Sequence, residues 1–406
     1  MHALTIPFFS LERQIKKIEP LIMQAMQEVI QSQQFIGGPF VDAFEKKCAA
    51  YVNVNHVIAC NSGTDALWIA LKALGVEQDT IVLTTAFSFI ASSSEIAAHR
   101  AHPVFIDVDP ITYTIDVEKI EIWLAQHAVL KDGHAVHRTT GFVIKGIVAV
   151  DLFGHSADYD KLGKLAKEWG LWVLADCAQS IGTEFKGKKT AALATVSIFS
   201  FYPTKNLGAF GDGGCCMTND PVLAERILQL RNHGRKSHYD YLELGINSRL
   251  DALQAAILSV KLDFVDDYNQ RRRDIAARYN QKLSNLPFLK LPQEIFGKHT
   301  YHQYMVQVVD VSGCVTREKV EQSLAAAGIQ TRVFYPKALT EIPFLSNHQA
   351  LVNACPIAQR LTQTILALPV WPELEDSEID YVCDALNSIS MMTVAAHDTK
   401  SGSCHV

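Results

Sequence analysis

Near-continuous apolar runs, each closed by a polar residue, constrain this chain more than any other feature. Residues 142–150 end at Asp151, residues 171–175 at Asp176, and residues 195–199 at Ser200. Runs so apolar are those of strands covered on both faces, because a strand with one wet face alternates instead. Further runs of this kind occupy 56–60, 80–84, 103–107 and 214–217, with helical segments such as 91–99 and 159–169 among them. The expected fold is therefore α/β, a large mostly parallel sheet with helices on both faces. Ligands on such a sheet bind beyond the carboxyl ends of the strands, which is where the polar residues fall.

The texture changes after Pro221. A helix over 223–232 and a polar loop over 233–247 lead into one long helical run, 249–283, whose Arg271-Arg272-Arg273 reads as a solvated face. Strands at 304–309 and 330–335 then alternate with helices at 317–327, 357–366 and 376–388. The chain of 406 residues exceeds one small core. It divides into a large part, 1–260, a smaller α+β part, 261–392, and a polar tail, 393–406, expected to be frayed.

Bulk properties exclude several function classes. A net charge of −6 gives no reason to expect nucleic acid or an anionic membrane as partner. No stretch approaches 18 uninterrupted apolar residues, so no spanning helix is expected. The nine cysteines are scattered without zinc-like spacing, which argues against a metal site and for a reducing compartment. Residues 1–7 lack the charged and apolar blocks of a targeting peptide, and the expected location is the cytoplasm. No G-x-G-x-x-G follows the first strand, which removes a nicotinamide-dependent dehydrogenase.

Three groups of residues carry chemistry. The turn Asn61-Ser62-Gly63-Thr64-Asp65 leads from a strand into a helix, an arrangement that either binds an anion or merely caps the helix with Ser62 or Thr64. Asp176 and Gln179 follow one strand, and Ser200 and Lys205 follow the next. Together they offer a lysine for a Schiff base, an acid for a ring nitrogen and donors for a phosphate, the set that pyridoxal phosphate (PLP) requires.

At these positions the sequence resembles the DegT/DnrJ/EryC1/StrS family of PLP-dependent nucleotide-sugar aminotransferases. The matching pieces are Ser62-Gly63-Thr64-Asp65-Ala66-Leu67, Asp176-Cys177-Ala178-Gln179, Ser200-Phe201 with Lys205, Gly211-Asp212-Gly213-Gly214, and Gly245 to Asp251 with Gln254-Ala255-Ala256. The resemblance runs from Gly37 to Pro369. It implies PLP-dependent transferase fold type I, like aspartate aminotransferase, with Lys205 as the Schiff-base lysine and proton shuttle. Asp176 is then expected at the pyridine nitrogen, Gln179 at the phenolic oxygen, and Phe89 against the ring, with an ordinary core place for Phe89 as the alternative because Phe87 is a near neighbour. Gly63, Thr64 and Ser200 are expected at the phosphate, which favours the anion-binding reading of the first turn. Asn247 is expected to complete the phosphate site of the other subunit of a homodimer, and Arg249 to lie near the nucleotide-sugar. His302 and Tyr335 match substrate-side segments more loosely.

The resemblance implies transfer of an amino group from an amino acid, L-glutamate by family habit, to a nucleotide-linked keto-sugar, with the cofactor passing through its pyridoxamine form. Asn247-Ser248-Arg249 resembles members acting at carbon 3 more than carbon 4, and the text around Lys205 leans to a UDP-linked N-acetyl-hexulosuronate over a dTDP-linked deoxysugar. A dehydratase on the same scaffold would carry His in place of Lys205. A regulatory protein without turnover would want an added module for which the length leaves no room. Asp151 stands where many members have His, a position expected near the cofactor.

Overall fold

The computed structural model describes residues 5–309, 315–345, 351 and 353–401, with side chains through 389. Its centre is a sheet whose seven main strands are β1 (His56–Cys60), β2 (Thr80–Thr85), β3 (His102–Ile106), β4 (Val143–Val150), β5 (Trp172–Asp176), β6 (Val196–Ser200) and β7 (Gly214–Thr218). Their order across the sheet is β1-β7-β6-β5-β4-β2-β3. Pairing is parallel from β6 through β5, β4 and β2 to β3, while β7 runs antiparallel to both β1 and β6. A hairpin absent from the sequence reading, Ala128–Lys131 with His134–His137, extends the sheet by pairing with the start of β4.

Alternation explains why the strands must be apolar throughout. Ile81, Leu83, Ile147 and Ala149 face one buried layer, whereas Val82, Val148 and Val150 face the other. Phe44, Leu162 and Phe199 fill the first layer, and Leu67, Ile69 and Ile227 the second. With both faces covered, only strand ends and the loops that follow them reach solvent. The sheet therefore confines polar chemistry to its edge.

A second core gathers around an antiparallel sheet of Leu289–Lys290, Tyr304–Val308 and Ile365–Leu368. Tyr279, Trp371 and Leu386 pack there, and so does Ile6 from the start of the chain, bridged to Ile329. Several expectations need correction. The long run 249–283 is two helices, Ala252–Leu262 and Val265–Leu283, because Asp263 and Phe264 interrupt it. Residues 330–335 form no strand beyond a bridge from Arg332 to Ala367, and 365–368 is a strand rather than the end of a helix. Arg272 is 2% exposed and donates to the carbonyls of Tyr301, His302 and Val370, so the arginine run is a solvated face only in part. The final helix extends over Asp376–Ser401, past Met392, where a frayed tail was expected; 402–406, like the opening residues 1–4, lie outside the described residues. No helix among the described residues is long and apolar enough to cross a membrane.

Close approach fixes the sheet's functional edge. A Cβ on Gly214 would stand 2.4 Å from the Ser62 backbone and 2.6 Å from Gly63 N, atoms that have no room to retreat. Gly214→Ala is expected to lower stability by about 1–3 kcal/mol. Urea unfolding of the variant beside the parent protein measures it.

Candidate active site

Asp176 ends β5, and its backbone carbonyl accepts from the Asp151 N–H at the end of β4 (3.0 Å). Its carboxyl is buried, with the Ala178 N–H donating to one oxygen at 3.1 Å. Loss of water pushes this acid up to about 6, against that hydrogen bond and the attraction of Lys205. Lys205 lies in the turn after β6, half-buried, its own N–H bonded to Tyr202 O at 2.8 Å. Burial pushes its amine down to about 8 although Asp176 pulls the other way. A buried acid and a half-buried amine of opposite charge thus act on each other, each short of partners.

Gln179 is anchored from both ends. The Phe153 N–H donates to its Oε1 (2.8 Å), and its Nε2 donates to Tyr335 Oη (3.0 Å), leaving one amide hydrogen for a ligand. Tyr335 packs edge-on against Phe87 and lies 6.3 Å from the ring of Phe89. Exposure separates the two phenylalanines: Phe87 is 1% exposed, in the core, whereas Phe89 is 54% exposed and offers a ring face to the cleft side. His302 is buried, with Nδ1 3.1 Å from Oδ1 of Asn206, the residue after Lys205.

The helix Gly63–Ala73 starts beside β6. Ser62 caps it, its Oγ accepting from the Asp65 N–H at 3.0 Å, while the Ala66 N–H turns back to Ser62 O. The N–H groups of Gly63 and Thr64 have no acceptor within the helix. A Cβ on Gly63 would lie 2.6 Å from Ser200 Cβ, so the hydroxyl-bearing end of β6 and the open helix start form one cradle that only glycine permits. Ser62 is thus the cap, and the Gly63 and Thr64 N–H groups stay available as donors.

Ser248 is buried and ties the following loop to this cradle, donating to Asp65 Oδ2 (2.6 Å) and accepting from the Asn61 N–H (3.0 Å). Its neighbours point elsewhere. Asn247 is exposed, and Arg249, near Asn232 Oδ1 (3.4 Å), lines a separate cleft of about 570 Å³ with Arg231, Arg235 and His238. Within one chain Arg249 therefore does not share the cleft of Lys205. Asp151 is fully buried, accepting from the Ala157 N–H (2.9 Å), Tyr159 Oη (2.9 Å) and Ser180 Oγ (3.2 Å), and so braces the Gln179 turn from behind.

These residues fit pyridoxal phosphate. A primary amine whose proton is loosened by burial, a buried carboxyl lacking a cationic N–H, an open helix start for a phosphate and an exposed ring face are its complementary set. Residues 16–387 match the DegT/DnrJ/EryC1/StrS aminotransferase family. The chain belongs to this family. It is accordingly a PLP-dependent aminotransferase of the DegT/DnrJ/EryC1/StrS type. Over 386 residues it is 38% identical to the pleiotropic regulatory protein of Geobacillus stearothermophilus, covering 94% of this chain and 98% of that one. It is 35% identical to the UDP-2-acetamido-2-deoxy-3-oxo-D-glucuronate aminotransferase of Pseudomonas aeruginosa, over 94% and 100% of the two chains. NtdA of Bacillus subtilis, solved with its cofactor PMP bound, superposes with a TM-score of 0.84 at 27% identity, over 95% of this chain and 85% of that one.

Asn206, Asn269 and Arg272 stand in none of the matching motifs, yet they pack behind the Lys205 turn, and of the three only Asn206, adjoining Lys205, is marked by its place in the sequence. Asn269 and Arg272 are one helical turn apart on Val265–Leu283, and nothing local marks that face as buried.

The sign of the Asp176 shift gives a test. Its folded-state pKa is raised, so the folded apoprotein binds the extra proton and loses stability as pH rises from about 4 through 6. Apo Asp176→Asn is expected to be more stable than the apo parent at pH ~7.5, by on the order of 2 kcal/mol, and to show no such gain at pH ~4. Urea unfolding at both pH values measures the difference, and cofactor binding should fall in the same variant.

Proposed function

We propose that this chain transfers an amino group from L-glutamate to a nucleotide-linked keto-sugar at carbon 3, with a UDP-linked 2-acetamido-3-oxo-uronate as the favoured acceptor. The observation that carries the reading is the buried Asp176 carboxyl within the field of Lys205, beside the open helix start at Gly63. The name of the Pseudomonas aeruginosa relative and the Asn247-Ser248-Arg249 wording support carbon 3.

On this reading, bound pyridoxal phosphate supplies the electron sink that makes the carbon bearing the amino group acidic. The protein does the rest by placement. Lys205 Nζ, neutral in part near pH 8, carries a proton to and from that carbon. Asp176 keeps a proton on the pyridine nitrogen, regaining the cation its burial lacks. Gly63 N–H, Thr64 N–H and Ser200 Oγ hold the phosphate, Gln179 turns its remaining amide hydrogen to the phenolic oxygen, and Phe89 closes one ring face to water. Tyr335 positions Gln179 from the substrate side.

Arg249 serves a second subunit in this reading, where its planar fork suits a pyrophosphate, and Asn247 reaches that subunit's phosphate. The protein then works as a homodimer with shared sites, residues 1–260 forming the cofactor-binding part and 261–392 the smaller part beside it.

Glutamate is expected to bleach the yellow absorbance of the purified protein, and the UDP-linked 3-oxo-uronate to restore it. Restoration by a 4-keto-sugar alone would overturn the regiochemistry, and restoration by a dTDP-linked 3-keto-deoxysugar alone would move the substrate to that branch. Lys205→Ala is expected to abolish both steps. Mixing inactive Lys205→Ala and Arg249→Ala proteins should regain about a quarter of the parent rate, because half the reassorted dimers hold one complete site. No recovery after subunit exchange, verified by size and tag, would place Arg249 outside the partner's site.

A further inference from the structure

The side chains behind Lys205 determine where a hydrogen sits. Asn206 Nδ2 uses both its hydrogens, one on Asn269 Oδ1 (2.7 Å) and one on Thr300 O (3.2 Å). The orientation of Asn269 is fixed in turn, since its Nδ2 donates to the Ile181 carbonyl at 2.9 Å. A backbone carbonyl can only accept, so neither amide can be flipped, and Asn206 Oδ1 is an acceptor. His302 Nδ1, 3.1 Å from that oxygen, therefore carries the hydrogen. In a neutral imidazole the other nitrogen is then bare.

The ring is held neutral. Burial and the charges of Lys205 and Arg272 keep His302 well below the ordinary histidine range. Arg272, on the same helix as Asn269, fixes the backbone from the other side by donating to the Tyr301 and His302 carbonyls (3.3 Å each). Nε2 meets no protein donor among the described residues, yet it is not one of the sealed polar atoms left without a partner. Its lone pair is open, on a ring that feels the charge of Lys205 and is bonded to the residue after it.

We infer that His302 is an orienting acceptor in the reaction: its bare Nε2 takes a hydrogen bond from the amino group that is exchanged beside Lys205. The inference rests on Lys205 carrying the cofactor. An imidazole that stays neutral through the working range neither takes nor releases a proton here; it aligns the amine's lone pair by holding one of its N–H bonds. Asn206, Asn269 and Arg272 are the positioning residues that select this tautomer. A positively charged or Nε2-protonated ring at the same place would repel the incoming amine or turn a donor towards it.

Two variants separate this role from a structural one. In His302→Asn the amide nitrogen can replace Nδ1–H towards Asn206, and the acceptor is lost. In His302→Gln an oxygen can stand near the Nε2 position, and the bond to Asn206 is lost. The single-turnover rate of bleaching by glutamate is expected to drop about tenfold or more in His302→Asn and to recover to within about threefold in His302→Gln. If His302→Gln is the slower of the two, the ring's role is structural and the inference is overturned. Tautomer is read independently by long-range nitrogen–hydrogen correlation on the full-length holoprotein labelled in histidine, with His302→Asn identifying the signal. A bare Nε2 from about pH 6 to 8 is expected, and an Nε2-protonated or doubly protonated ring overturns the inference. Lys205→Ala, reduced with borohydride and weighed, is run alongside: cofactor still attached to the chain would instead remove the reading of Lys205.

Discussion

A buried carboxyl at the end of one strand and a half-buried amine in the turn after its neighbour are the charges around which this fold is arranged. Each is uncomfortable alone: burial raises Asp176 to about 6 and lowers Lys205 to about 8. Their mutual attraction does not cancel the loss of water. A scaffold that holds both must be rigid enough not to relax, and the doubly covered sheet provides that. β5 and β6 are central and parallel, so their carboxyl ends cannot splay, and Asp151 braces the turn behind them with a buried hydrogen-bond cluster. The discomfort is then available to a ligand that offers a cationic ring nitrogen and a carbonyl.

Much of this was legible in the sequence because its signals are local. Apolar runs closed by polar residues marked seven strands and the edge where they end, and the Ser62–Asp65 turn carries its cap and its open donors within four residues. What local pattern cannot carry is contact across the chain. Arg272 stands in a run of three arginines that reads as wet, yet its side chain is buried against carbonyls of residues 301, 302 and 370. The strand at Ile365–Leu368 is too short and too close to a helix to be separated by periodicity. Asp151 is the converse case: it too closes an apolar run, and only contacts across the chain show that its side chain is enclosed behind the strand ends.

The two cores meet at the cleft through few polar links. Gln179 to Tyr335 joins the β5 turn to the segment between the strands Tyr304–Val308 and Ile365–Leu368, and Asn206 to Asn269, His302 and Thr300 joins the Lys205 turn to the second core's helix and to the loop before Tyr304. Thr183 and Thr300 add a further contact at 2.9 Å. The first two of these links start from Gln179 and from the residue after Lys205, both at the proposed cofactor site. Relative displacement of the two parts would therefore be felt first at Gln179 and Lys205.

Ser248 has a mechanical meaning beyond its two hydrogen bonds. It is enclosed, and it fastens the loop between Asn247 and Arg249 to the same helix start that opens towards Ser200. Two surfaces facing different clefts are thus machined from one datum. An error in the placement of Gly63 would be copied into the placement of Arg249, and a loop free to wander on its own could not inherit that accuracy.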